Sequence, residues 1–380
     1  MGTNKADSNF RKEFPLLETL VYLNHAATSL LPNSTKFYLY RYLDSITTEA
    51  PNYERDKNLI EQARMSLAKF LNCNPSEIAF VENTSSGISK IAQGLRLGTK
   101  DKIACLVPDF PSNIYPWLWQ EKKGIEVYFI QYDHRNFRLK DIVDKIKPNT
   151  KLFALSHVNY VTGFCLPLVE ISSMLNKKGI WMFVDMIQSI GAIPVDLKAL
   201  KVHFMAAGSH KWMMGLPGAG ILYISKEVQG FVEPLELGWK SVKHEEDFSK
   251  ITLDLKEDAL VMEPGTMNVV GILALSKGIE LINSYGIQNA FEAITSWNAS
   301  IAKELKRANI CVASPYGNEY ASGILTFMHD KPRLLYNYLT EQNIKTSLRE
   351  NMIRISPHFY NDEQDLKNLM DAILRYEKLL

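Results

Sequence analysis

The sequence predicts an α/β fold in which a parallel sheet is covered on both faces by helices. Short apolar runs recur at 78–81, 103–107, 125–130, 152–156, 180–184, 202–207 and 220–224, and helical segments fall between several of them, around 139–147 and 169–178. Apolar strands alternating with helices in this way suit strands buried on both faces. Three chemistry-bearing residues, Phe110, Asp185 and Lys211, each follow one of these runs closely. Ligands on such sheets bind outside the carboxyl ends of the strands, so the three are expected along one edge of one cleft.

Taken in order, residues 1–20 form a polar lead-in and a short amphipathic segment. Val21, Tyr22 and Leu23 make a brief strand-like run that ends in Asn24-His25-Ala26-Ala27-Thr28, small and hydrogen-bonding residues suited to a loop that lets something approach the backbone. A loop with Pro32 and an aromatic-rich stretch at 36–43 follow. Leu59, Ala63, Leu67 and Leu71 keep an i, i+4 spacing that predicts a helix. After the run at 78–81, Thr84-Ser85-Ser86-Gly87 forms a turn, and Ile88, Ile91, Ala92 and Leu95 then mark one helical face. Residues 226–260 are more charged and include KSVKHEEDFSK, a surface excursion. Pro264-Gly265-Thr266 precedes a long helical region at 269–307. A compact α+β tail follows, with strands near 323–328 and 352–356, a helix near 334–342 and a closing helix from Asp362. The expected organisation is an N-terminal segment 1–20, a large domain 21–265 and a smaller C-terminal domain 266–380.

Composition narrows the function class. A chain of 380 residues, 46% hydrophobic and 22% charged, can bury a large core and is no disordered segment. Its net charge of +1 gives no reason to expect nucleic acid or an anionic membrane as partner. The cysteines, Cys73, Cys105, Cys165 and Cys311, are scattered without a CxxC pair. Neither a disulfide framework nor a metal site is expected, and a reducing compartment fits. The N-terminus lacks the apolar core of a signal peptide, Ala6 stands where a myristoylation signal wants Ser or Thr, and no apolar run approaches a membrane span. A cytoplasmic protein is the expectation.

The chemistry centres on HFMAAGSHKWMMGLPGAG, at 203–220. Lys211 sits where an apolar strand opens into a Gly-rich turn. A lysine held against apolar surroundings loses basicity and becomes a usable nucleophile towards carbonyls. Most lysines after strands are simply solvated; here an acid in VDMIQS and a phosphate-type turn in ENTSSGIS lie upstream. An aldehyde cofactor with a ring nitrogen and a phosphate needs those three parts together. Thr84 and Ser85 at a helix start offer N–H groups to an anion, although plain capping explains most such turns. Asp185 can be a turn former or can hold a pyridine nitrogen protonated, a charge-assisted bond of about 1.5–3 kcal/mol. Gln188, three residues on, could donate to a ring hydroxyl. Phe110 is either core or a ring that stacks on a cofactor. Arg354, in IRISPHFYN, is costly in an apolar strand unless a carboxylate pairs with it, from the protein or from a substrate. Gly215, Gly218 and Gly220 precede a strand instead of opening a helix, so they make no dinucleotide loop, and no GxxxxGK[ST] run exists.

VHFMAAGSHKWMMGLPGAGIL resembles the pyridoxal-phosphate attachment signature of class V aminotransferases, the group that also holds cysteine desulfurases, isopenicillin-N-epimerase-like proteins and kynureninases. VYLNHAATSLLP, ENTSSGIS, VDMIQSIGAIPVDL, MEPGTMNVVGILAL and RISPHFYN are similar in the same order, from about residue 21 to 361. The resemblance implies fold type I, with a mostly parallel seven-stranded sheet, and a homodimer with shared active sites. It assigns Lys211 to the Schiff base with pyridoxal 5'-phosphate, Asp185 to the pyridine nitrogen and Gln188 to the ring hydroxyl. Thr84, Ser85, Ser86 and His210 fall to the phosphate, with Thr266 from the neighbouring subunit. Phe110 stacks on the ring. Asn24, His25, Ala26, Tyr160 and Arg354 fall to an amino-acid substrate, Arg354 at its carboxylate. Cysteine desulfurases of this type carry a histidine where Phe110 stands and a nucleophilic cysteine shortly before Arg354; the loop 345–352 contains none. DFPSNIY and Tyr160-Val161-Thr162-Gly163 resemble kynureninase-like and epimerase-like members instead, and His203 stands where relatives usually have an aspartate. Transamination is the family's default label; a β-lyase or an epimerase is the alternative, and a non-catalytic cofactor-binding sensor a remote one.

Overall fold

The computed structural model describes residues 8–378. Seven strands form the central sheet: β1 (Ile78–Val81), β2 (Lys102–Val107), β3 (Glu126–Gln131), β4 (Thr150–Ser156), β5 (Trp181–Asp185), β6 (Phe204–Gly208) and β7 (Gly220–Ile224). Their order is β1-β7-β6-β5-β4-β2-β3. Strands β2 to β6 run parallel, and β7 is antiparallel to both neighbours. The antiparallel turn has a local cause. No crossover helix separates β6 from β7, so the chain can only double back. The doubling loop, 209–219, is the one that carries Lys211.

Every residue of β1, β5, β6 and β7 is buried, which is why those runs read as continuous rather than alternating. Phe153, Leu155, Met182, Val184 and Met205 enter the core on one face of the sheet. Leu152, Ala154, Phe183 and Ala206 enter the core on the other. Among the helices, α1 (Asn33–Thr48) contains the aromatic-rich stretch, and α2 (Tyr53–Leu71) buries Ile60, Ala63, Leu67 and Leu71. α3 (Thr84–Gly94) is capped by Asn83, whose side chain accepts the Ser86 N–H. A Cβ on Gly87 would stand 2.9 Å from the Ala206 Cβ, so glycine is what lets the first turn of α3 press onto β6. α4 (Leu168–Lys177) covers the strand that ends in Asp185.

The helical region expected at 269–307 is two helices, α5 (Val269–Tyr285) and α6 (Ile287–Arg307). Gly286, at φ +90°, makes the break between them. The tail contains β8 (Leu325–Phe327), α7 (Pro332–Glu341), β9 (Ser347–Arg349), β10 (Met352–Ile355) and α8 (Glu363–Glu377). The sheet order is β9-β10-β8, all antiparallel. The expected loop at 345–352 is therefore largely a hairpin. Its turn residues, Glu350 and Asn351, have φ of 46° and 59°. A glutamate there gives none of the usual Asn-Gly signal. Val21–Tyr22 pairs in parallel with Ile344–Lys345, so Val21 and Leu23 pack into the core of the tail. Among the described residues no helix is long and apolar enough to cross a membrane, and no three His, Cys, Asp or Glu side chains are grouped to hold a metal.

Candidate active site

A pocket of about 200 Å³ opens at the carboxyl ends of β4, β5 and β6. Parallel strands deliver their following residues to one edge, so Ser156, Asp185 and Lys211 all line it. Thr84 and Ser85 enter from the first turn of α3, Phe110 from the loop after β2, and Tyr160, Gln188 and His210 complete the wall. A larger groove of about 1230 Å³ lies between residues 131–145 and 311–328, but neither Lys211 nor Asp185 lines it. The chemistry is in the smaller space.

The Lys211 amine has no carboxylate within 4 Å among the described residues. Burial lowers its basicity; Asp185 pulls the other way, and the positive charges of Arg354 and Arg349 lower it further. Asp185 ends β5 and accepts the Ile187 N–H through Oδ1 at 2.9 Å. Burial raises its carboxyl above the usual range and Asp109 adds to this, while the Ile187 N–H and Lys211 oppose it. The Gln188 side chain is fixed at both ends, Nε2 donating to the Ala26 carbonyl at 3.1 Å and Oε1 accepting the Trp212 indole N–H at 2.8 Å. The second Nε2 hydrogen is left for a ligand. Phe110 is 44% exposed, so it is no core residue, and it meets Tyr160 edge-on at 5.2 Å.

Four residues that the sequence assigns to the site, Ser86, Asn24, His25 and Ala26, do not line this pocket. Ser86 turns away from the pocket: its N–H is taken by the Asn83 cap and its hydroxyl by Glu82. Asn24, His25 and Ala26 do not line the pocket, because the pairing of Val21–Tyr22 with Ile344–Lys345 carries them underneath it. Asn24 is held by the Ser347 hydroxyl, and the Ala26 N–H donates to Ser356 Oγ at 2.9 Å. His25 is fully buried, its Nδ1 3.0 Å from the Tyr360 hydroxyl and its ring against Trp212 and His358. Thr266, expected to act from the neighbouring subunit, lines a different cavity of this chain, with Glu82 and Asn268.

Arg354 is 2% exposed on β10 and donates through Nη1 to the Tyr160 carbonyl at 2.6 Å. It makes no ion pair among the described residues, and its Nε has no partner. The internal salt bridge that would explain it away is absent there. Sequence reasoning missed Asp109, the residue before Phe110. Its carboxylate accepts the Phe110 N–H at 2.6 Å, the Ser156 hydroxyl at 2.5 Å and the Asn113 side chain at 2.9 Å, which pins the loop presenting Phe110. Burial pushes this carboxyl up to about 6 against those hydrogen bonds. The signal lay in DFPSN, an Asx-type turn opener immediately after a strand.

His203 also gains an account. Its Nδ1 accepts the Met182 N–H at 3.1 Å, and its Nε2 lies 3.2 Å from Glu227 Oε1. The ring thus offers the backbone an acceptor, as an aspartate in its place could. Burial lowers its pKa, with Glu227 opposing. Its contribution to stability is present above the ordinary histidine value of about 6.5 and is lost as pH falls below it, because protonated Nδ1 cannot accept. Melting wild type and His203→Asn side by side should show a gap of about 1 kcal/mol at pH 7.5 that narrows towards pH 5.

Comparisons with known proteins identify the family and the fold. The family model described as Aminotransferase class-V matches residues 21–369. The chain is 30% identical to a probable cysteine desulfurase of Pyrococcus abyssi, covering 97% of each chain. It is 26% identical to the uncharacterized aminotransferase YcbU of Bacillus subtilis, covering 96% of each. The apo structure of a cysteine desulfurase from Thermococcus onnurineus NA1 superposes with a TM-score of 0.91 at 25% identity, over 100% of both chains.

Proposed function

The chain belongs to the class-V aminotransferase family of pyridoxal-phosphate enzymes, and on that premise we propose that it is a lyase that removes a β-substituent, sulfur first among the candidates, from an α-amino acid. Relatives named as cysteine desulfurases favour this over transamination, the family's default label. The departure lies in the sulfur acceptor. None of the four cysteines lines the pocket, and Cys165 is buried against His157, 3.3 Å from Sγ to Nε2. The leaving group is therefore released into the pocket instead of being captured by an enzyme thiol.

The observation that carries the reading is the meeting of Lys211 and Asp185 on one pocket, with an unpaired, buried arginine beside it. These residues fit the coenzyme. Thr84 and Ser85 head an eleven-residue helix whose first N–H groups have no intrahelical partner; with His210 they form a donor set for a phosphate. Asp185 faces the same space with a carboxylate that gains a partner in a protonated ring nitrogen. Lys211, less basic than a free lysine, is suited to a carbonyl carbon. When bound, pyridoxal phosphate supplies an electron-accepting ring for the bond broken at the substrate's Cα.

The protein's own groups do the rest. Arg354 fixes the substrate carboxylate at the pocket margin. Lys211 moves the Cα proton, being the basic group nearest the reacting carbon. Phe110 covers one face and limits water. Thr266 lies outside this chain's pocket, and α1 exposes Phe37, Tyr40 and Leu43. Both fit a homodimer in which a second copy completes the site.

Incubating the loaded enzyme with cysteine or cystine, without keto acid, should release sulfide or a persulfide together with a keto acid and ammonia. Amino transfer that requires an added keto acid, with no β-group released, would overturn the lyase reading. Arg354→Gln should raise KM for the amino acid by roughly 100-fold, the loss of a charged hydrogen bond of about 2–3 kcal/mol, and leave the coenzyme's absorbance unchanged.

A further inference from the structure

We infer that Arg349 forms a second anion subsite beside Arg354, so that the preferred substrates are amino acids whose side chain ends in its own carboxylate-like group. This deepens the proposed function and rests on its placement of the substrate carboxylate at Arg354. The hairpin register carries the geometry. Ser347 lies opposite Arg354, and Arg349 lies opposite Met352. Alternate residues of a strand share a face, so Arg349 and Arg354 are diagonal neighbours on one face, about 7–8 Å apart at Cα.

Two guanidinium groups so placed repel each other, and neither makes an ion pair among the described residues. Arg349 makes one hydrogen bond, through Nη1 to the neighbouring Leu348 carbonyl at 2.9 Å. No acidic side chain lies within 4 Å of it among the described residues. Glu350, next in the chain, is taken by the Tyr160 hydroxyl at 2.9 Å. The charge of Arg349 reaches both Arg354 and Lys211, lowering the basicity of each, so its field extends over the pocket and not only into solvent. Two guanidinium groups therefore share one face of the hairpin, within electrostatic reach of Lys211 in the pocket. A single substrate carboxylate satisfies Arg354 and leaves Arg349 unpaired, whereas a second anion satisfies both. The plain alternative is a solvated surface arginine, but Arg349 is only partly exposed.

The test uses the coenzyme-loaded full chain and needs no turnover, so it can fail independently of the lyase assignment. Isothermal titration with succinate and glutarate, against butyrate and valerate, should give a Kd at least tenfold lower for the dicarboxylate of each pair. Arg349→Gln should bring that ratio close to one and leave the monocarboxylate Kd unchanged. Arg349→Lys should keep part of the preference, which serves if the glutamine variant does not fold. A wild-type ratio near one, or a preference that survives in Arg349→Gln, overturns the subsite. Loss of monocarboxylate binding in that variant also overturns it, since Arg349 would then be part of the Arg354 site.

Discussion

Lys211→Met is expected to raise the melting temperature of the coenzyme-free protein by several degrees while abolishing any covalent link to the coenzyme. The reason is the burial of an amine with no carboxylate within reach. Burial and the charges of Arg354 and Arg349 outweigh the attraction of Asp185, so the folded state binds the Lys211 proton less well than the unfolded chain does. A group in that position costs stability in full below its folded pKa, and the cost disappears as pH rises towards the ordinary lysine value. The amine is lowered from the ordinary 10.5 to about 8, and at about 1.4 kcal/mol per pKa unit the gain at pH 7 is about 3 kcal/mol. A methionine of similar length fills the space without the charge. The advantage should shrink between pH 8 and pH 10.5 as wild-type Lys211 loses its proton. Borohydride treatment of the loaded variant should trap no coenzyme on the chain, and turnover should fall by roughly 10³-fold or more, the scale of a lost positioned acid–base group. A variant that melts below wild type at pH 7, or that still traps coenzyme, would remove Lys211 from the centre of the site.

How much of this was legible follows from sequence distance. Lys211, Asp185 and Phe110 could be placed in one cleft because each directly follows an apolar strand, and a parallel sheet aligns its strand ends. Ser86 was misjudged because a helix rotates successive residues by about 100°, so Thr84 and Ser85 face the pocket and the next residue does not. Asn24, His25 and Ala26 were misplaced for a longer-range reason. Their strand pairs with a segment over 300 residues away, and no local pattern shows that the two-residue run at Val21–Tyr22 joins the tail. Arg349 was invisible for the opposite reason. It lies in a stretch whose polar residues read as loop, and the hairpin that aims it depends on a glutamate with positive φ. Propensity argues against such a turn; the packing of Ile353 and Ile355 in the tail core decides for it.

Glu263→Ala should destabilise the protein by about 3–5 kcal/mol, because it strips a buried arginine of its principal counter-ion. Arg64, on α2, is 1% exposed, and Glu263 6%. The pair is bidentate, Nη1 to Oε1 at 2.7 Å and Nη2 to Oε2 at 2.9 Å, and the guanidinium lies over the Phe80 ring, 4.9 Å from its centroid. Both partners also hold β1. Arg64 Nη1 donates to the Ile78 carbonyl at 2.7 Å, and Glu263 Oε1 accepts the Phe80 N–H at 2.7 Å. β1 is an edge strand, paired only with β7, so these contacts satisfy backbone groups that would otherwise stand open. Removing the carboxylate leaves the Phe80 N–H without its acceptor and Arg64 with the half-exposed Glu61 as its one remaining ion pair among the described residues. Two consequences separate this from ordinary loss of a salt bridge. Urea melts of Arg64→Leu combined with Glu263→Leu should recover much of the loss, since replacing a whole buried pair costs less than breaking it. Coenzyme affinity of the single variant should also fall, because β1 leads directly into Asn83, Thr84 and Ser85, and Glu263 itself precedes Thr266. Should Glu263→Ala melt within 1 kcal/mol of wild type, the edge strand is held by packing alone, and the phosphate end of the pocket owes nothing to this pair.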